Sequence, residues 1–212
     1  MAAKKASKKV KTTAKTKTKV VKPASAPKAT TKAKKTAQVK NTAPVISEHL
    51  WRSGPHAEEI GDLEILSGSV MVCDAGTLFS PVEVSLPKGV YRVRVARDNR
   101  ENASAVLIAK NAAPVAWEEA GAYGVDAGMS GFFDADVFER VDDHDWSVSL
   151  YDDLISKHLD PAERRGHAGA FVPFEEVKFS ACRSGGGDGV YPVYVGRDAS
   201  GEVVAVLTTF LE

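Results

Sequence analysis

Tyr91-Arg92-Val93-Arg94-Val95-Ala96, then Asp98-Asn99-Arg100-Glu101-Asn102, then Ala105-Val106-Leu107-Ile108-Ala109 is the stretch that sets the architecture. In its first part Tyr91, Val93 and Val95 alternate with Arg92, Arg94 and Ala96. A period of two puts one set on a buried face and leaves the other toward solvent, the pattern of a half-buried strand. The polar cluster 98–102 reads as a loop, and the apolar run after it returns alongside the first, making a hairpin. On the N-terminal side, Val70-Met71-Val72-Cys73 is a short apolar run between Gly68 and Gly76, a strand by length and flanks. On the C-terminal side, 178–183, 190–195 and 203–210 read as strands, and Arg197-Asp198-Ala199-Ser200-Gly201 joins the last two as a tight loop.

Two stretches carry helical signals. Asp134 stands where it can cap a short helix holding Val137, Phe138 and Val141. Trp146, Leu150 and Leu154 are spaced by four, with Ile155 and Leu159 on the same face. Asp145 precedes them as a capping acceptor, and Asp160-Pro161 is read as the stop. Runs of strands around one or two helices predict an α+β domain over 46–212, with a mainly antiparallel β-sheet.

The chain of 212 residues is formally neutral, with 28 basic and 28 acidic side chains, but the neutrality is a partition. Residues 1–40 hold 14 Lys and no acid, leaving 14 basic residues against 28 acids, a charge of −14, for 41–212. The first 45 residues therefore read as a separate tail. Its composition of Lys, Ala, Ser, Thr, Val and Pro cannot bury enough apolar surface to offset backbone ordering, so disorder is expected. Val20-Val21 is its longest aliphatic pair, too short for a secretory signal's apolar region. No apolar run approaches the ~20 residues of a membrane helix, and no membrane partner is expected. Cys73 and Cys182 are too few for a disulfide scaffold.

The tail's lysines are Lys4, Lys5, Lys8, Lys9, Lys11, Lys15, Lys17, Lys19, Lys22, Lys28, Lys32, Lys34, Lys35 and Lys40. Each can sit on a phosphate and release counterions, which gives salt-sensitive affinity for a DNA or RNA backbone without sequence information. No aromatic stands among them to stack on bases. In composition the segment resembles the Lys- and Ala-rich tails of linker histones and histone-like bacterial proteins, through Lys4-Lys5-Ala6-Ser7-Lys8-Lys9, Val21-Lys22-Pro23-Ala24 and Lys32-Ala33-Lys34-Lys35. That resemblance implies nonspecific binding to nucleic acid in the cytoplasm, including at the nucleoid.

Two loops hold the candidate site residues of the domain. Gly124-Val125-Asp126-Ala127-Gly128 precedes Phe132-Phe133-Asp134 and Asp136, and Ser184-Gly185-Gly186-Gly187-Asp188-Gly189-Val190-Tyr191 runs into a strand. Asp126, Gly128, Asp134, Asp188, Gly189 and Tyr191 form the candidate loop site. Carboxylates are natural ligands for hard cations, but the spacing is not that of an EF-hand. Local turn bonding by Asp126 and capping by Asp134 is the favoured reading. The glycine run is not a P-loop, because a strand follows it and Asp188 would repel phosphate. No Gly-x-Ser-x-Gly elbow is present, and the five histidines lack metal-ligand spacing. No catalytic residue, metal or cofactor is assigned.

Ser67-Gly68 with Cys73-Asp74, Pro87-Lys88-Gly89-Val90-Tyr91, Val125-Asp126-Ala127-Gly128 with Phe132-Phe133-Asp134, and Gly187-Asp188-Gly189-Val190-Tyr191-Pro192-Val193-Tyr194 follow one another between about 60 and 210. In that order these motifs resemble the bacterial family known as domain of unknown function 4241. The end departs from the family pattern, with Thr208-Thr209 before Phe210 where members often carry an acid. The resemblance implies the fold and no activity. The expected function is thus a non-enzymatic interaction module with an unidentified protein partner, tethered to nucleic acid by its tail. The alternatives are a metal-dependent hydrolase using the loop carboxylates and an immunity-type inhibitor whose acidic surface blocks a basic toxin.

Overall fold

The computed structural model describes residues 43–211. The expectations for the lysine-rich segment fall on residues 1–42, outside the described residues. The described part is built from eleven strands and three short helices. The strands are β1 (Ala57–Ile65), β2 (Ser69–Cys73), β3 (Val82–Ser85), β4 (Gly89–Asp98), β5 (Glu101–Ala109), β6 (Ala116–Val125), β7 (Met129–Asp134), β8 (Gly169–Phe174), β9 (Val177–Arg183), β10 (Gly189–Arg197) and β11 (Val203–Thr209). The helices are α1 (Ala135–Asp142), α2 (Leu150–Asp153) and α3 (Leu159–Arg164).

The expected sheet is two sheets. One has six strands in the order β1-β4-β5-β11-β10-β6 and the other five in the order β3-β2-β7-β9-β8, with every pair antiparallel. The hairpin read from Tyr91 to Ala109 is β4–β5, with Val93 opposite Leu107. The loop 197–201 joins β10 to β11 as expected.

Alternation explains the layers. Val93, Val95, Leu107, Tyr123 and Val193 of the larger sheet meet Val70, Val72 and Phe132 of the smaller one in a shared core. Met129, Phe133, Val172 and Phe179 point the other way and are covered by α1, α2 and α3 through Val137, Phe138, Leu150 and Leu159. The far face of the larger sheet, with Val106, Ile108 and Leu207, is covered by Trp51 and Trp117. Strand β7 is buried on both faces and is the centre of the smaller sheet.

A bulge in β6 lets one strand serve two of these layers. The register steps from Glu119 opposite Tyr194 to Gly121 opposite Val193, so Ala120 is the extra residue. Trp117 therefore faces outward while Tyr123 and Val125 face the inter-sheet core. Gly196 makes room for the Trp117 ring, which a Cβ at that position would approach to 2.9 Å.

The helical readings divide. Asp134 caps α1 as expected, accepting from the Asp136 amide at 3.0 Å, and Val137, Phe138 and Val141 are its buried residues. The single helix expected from Trp146 to Leu159 is instead α2, a 3-10 turn at Ile155–Lys157, and α3. Ser149, not Asp145, caps α2. Pro161 lies inside the first turn of α3, where its missing N–H has no carbonyl to seek, so Asp160-Pro161 opens a helix where the sequence suggested a stop.

Candidate functional site

Two buried acids stand at opposite ends of the β2–β7 pair, and one of them, Asp74, organises the end that holds the candidate loops. Asp74 follows β2 and is inaccessible to solvent. Its Oδ1 accepts from the Gly76 amide at 2.8 Å, and its Oδ2 accepts from the Asp126 and Ala127 amides at 2.8 and 2.7 Å. One carboxylate thus ties the β2–β3 loop to the β6–β7 turn. Asp134, at the close of β7, is also buried. Its Oδ2 accepts from the Leu66 and Ser67 amides and from the Ser67 hydroxyl at 2.7, 2.9 and 2.9 Å, while its Oδ1 caps α1. Charge-assisted bonds to several amides are how a buried carboxylate is held without a cation.

The glycine loop is a packed closure. Ser184 donates its hydroxyl to the Gly187 carbonyl at 2.7 Å, and its amide reaches the Gly128 carbonyl at 3.0 Å. A Cβ on Gly185 would lie 2.0 Å from the Asn102 carbonyl oxygen, and one on Gly186 would lie 2.8 Å from the Tyr191 hydroxyl. The glycines are therefore required by close approach. Asn102 completes the closure by donating to the Ala168 and Arg183 carbonyls, both at 2.9 Å. Tyr191 is buried, and its phenol donates to the Gly187 carbonyl four residues back at 2.8 Å. Tyr91 does the same to Pro87 at 2.6 Å. The Pro-x-Gly-x-Tyr and Gly-Asp-Gly-x-Tyr elements are thus one device used twice, a tyrosine locking the turn that leads into its own strand.

The structure brings some of the six candidate residues together and separates others. Gly189 lies opposite Val125, so Asp188 and Asp126 flank one cross-strand pair, and both are exposed. Gly128 sits in the turn between β6 and β7 with φ +63°. Asp134 is roughly 17 Å of strand beyond Met129, turned inward and fully engaged. Among the described residues no set of three or more His, Cys, Asp or Glu side chains is gathered as for a metal ion. Both cysteines are buried. Burial pushes the Cys73 thiol well up, with Asp74 adding to it, and takes Cys182 up to about 12, so neither is a thiolate at neutral pH. Tyr123, at 2.6 Å from the Ser130 hydroxyl and 3.1 Å from that of Thr208, is raised by burial and stays protonated between the sheets.

A residue outside the expected set stands at this corner. Phe79, in the β2–β3 loop, is 64% exposed, and its ring carbons lie 3.4 and 3.5 Å from where a Gly124 Cβ would be. Gly124 pairs with Val190, which is 74% exposed. Residues on both sides of Phe79 hold left-handed backbone, Leu78 at φ +56° and Ser80 at φ +50°. Non-glycine side chains take that region at a cost, most of all a bulky one. Leu78 is anchored in the core under the helices, and its amide bonds to the Asp74 carbonyl at 2.8 Å. The sequence shows this loop only through Gly76 and the Ser80-Pro81 pair, which mark a turn and say nothing of an exposed ring.

A second concave feature, a groove of about 650 Å³, lies between α1 and the β8–β9 hairpin, lined by Leu66, Val137, Arg140, Glu175 and Lys178 among others. Its guanidinium, Arg140, is engaged by Glu175 and Glu176.

A family model matches residues 100–208, a little over half of the chain, and its description is Protein of unknown function (DUF4241). The Val125–Gly128 and Gly187–Tyr194 elements lie inside the matched span, and Cys73-Asp74 and Pro87–Tyr91 lie ahead of it. No curated protein and no solved structure matches the chain. The chain belongs to the DUF4241 family.

Proposed function

We propose that this family member is an interaction module, in which residues 46–212 engage a protein partner and the lysine-rich residues 1–40 tether it to nucleic acid. The observation that carries the reading is the charge partition: 14 Lys without an acid in the first 40 residues, against −14 over the remainder. Such a segment binds phosphates by counterion release and leaves the acidic part without affinity for a polyanion. The folded part supports the module reading, because its buried acids are committed to backbone amides and its exposed loop residues include an aromatic ring.

The test is a salt titration of DNA binding by the full chain and by a chain beginning at residue 46. For the full chain, log affinity should fall linearly with log salt, by roughly 0.9 for each phosphate neutralised, with equal affinity for unrelated sequences. The shortened chain should not bind. Equal binding by the two, or a sequence preference, would overturn the tether.

A further inference from the structure

We infer that Phe79, Val190, Asp126 and Asp188 form a docking site for an arginine side chain of a partner protein. The inference rests on the interaction-module reading and names the partner's chemistry. Three observations lead to it.

The first is that the four residues gather at one corner, the end of the β6–β10 pair. Gly124 and Val190 are directly opposite in the β6–β10 pair. Asp126 and Asp188 follow at the same end of this pair, each in the turn next to the last paired residues Val125 and Gly189. Phe79 covers Gly124 from the neighbouring loop. A methyl group at Gly124 would sit in ordinary contact with the ring, at 3.4 and 3.5 Å, so the ring lies directly over this position.

The second is that the ring is held in the open. Its neighbours Leu78 and Ser80 both keep left-handed backbone, and Leu78 is buried and bonded to Asp74. Phe79 is therefore carried by an anchored loop and is not an apolar residue left over at the surface.

The third is charge. Asp126 and Asp188 are exposed, and among the described residues neither has a basic partner within ion-pair distance. An aromatic face beside two unpaired carboxylates complements a planar cation with an apolar stem. A guanidinium stacks on the ring and presents its N–H fork to carboxylates, whereas an ammonium offers a compact, strongly hydrated point charge. Val190 adds an apolar wall for the arginine stem.

The experiment uses the full chain, carbon-13 labelled at Val methyl and Phe ring positions, titrated with the blocked peptide Ac-Gly-Leu-Arg-Leu-Gly-amide. Matched peptides carrying Lys, Gln or Glu in place of Arg are run alongside. Saturable shifts at Val190 and Phe79 with the arginine peptide are expected, with about tenfold weaker binding by the Phe79→Ala chain and by the Asp126→Asn, Asp188→Asn double variant. The Gln and Glu peptides should not bind, and the Lys peptide should bind several-fold more weakly. Unaltered circular dichroism of each variant establishes that the fold is intact. Equal binding by the wild-type chain and the Phe79→Ala chain overturns the site, as do equal binding of Lys and Arg peptides or shifts confined to other residues. None of these outcomes touches the DNA measurement on residues 1–40, so failure here is separable from failure of the tether.

Discussion

Two loops flank the β6–β7 turn, and they solve opposite problems. The glycine loop 184–189 folds inward, and Gly185 and Gly186 lie where a side chain would strike Asn102 or Tyr191. The loop around Phe79 turns outward, and it places ordinary residues, Leu78 and Ser80, where glycine would be easier. Gly185 and Gly186 signal packing, whereas Gly128 and Gly187, with open space around them, serve positive φ. Strained non-glycine backbone marks the place where a side chain is presented. The three candidate acids divide along the same line, with Asp134 spent on structure and Asp126 and Asp188 left at the surface.

The largest test of this contrast is Asp74→Ala, which leaves the Gly76, Asp126 and Ala127 amides without their acceptor. Loss of about 3–5 kcal/mol is expected in urea unfolding, since each bond to a charged group is worth about 1.5–3 and water recovers part of it. A loss below about 1 kcal/mol would mean that the two loops are not held through this carboxylate. Gly185→Ala comes next, with about 2–3 kcal/mol from displacing the Asn102 backbone. A neutral result would refute the packed reading of the glycine loop. Ser80→Gly runs the other way and should raise stability by about 0.5–1 kcal/mol by releasing left-handed strain. An unchanged or lowered unfolding midpoint would show that the Phe79 loop is unstrained. Smallest of all, Asp126→Asn and Asp188→Asn should each move stability by less than about 0.5 kcal/mol, as exposed positions do. A larger loss would return those acids to the structural class. Thiol labelling offers an independent check on the core. Cys73 and Cys182 should react with a disulfide reagent only upon unfolding.

The parts legible in the sequence were those with a clear alternation or a continuous apolar run. β4 and β10 alternate over most of their length, β5 and β11 are apolar runs buried on both faces, and they pair as their spacing suggests. β1 and β6 escaped because each carries a bulge, at Ile60 and Ala120, that shifts the phase midway. β6 is also an edge strand of mixed polarity, so neither half is long enough to read alone. β7 carries no strand signal, because Ser130 and Gly131 interrupt its apolar run and burial on both faces leaves no alternation. Leu150, Ile155 and Leu159, read as one helical face, are buried together, but they come from three separate short elements rather than one helix. At the candidate site the sequence located the loops and the capping role of Asp134. It could not distinguish an acid that meets three amides from one that meets none, because that difference is made by residues such as Leu66 and Ser67, some 67 positions away.

Asp74 has a consequence for how this corner meets a partner. Because its two oxygens grip the Phe79 loop and the β6–β7 turn at once, the ring and the Asp126 backbone are fastened to a common post between two sheets. An incoming chain would find the contact surface already assembled. Little ordering entropy would then be lost on docking, and the encounter would be governed by collision and charge attraction rather than by a wait for a rare conformation.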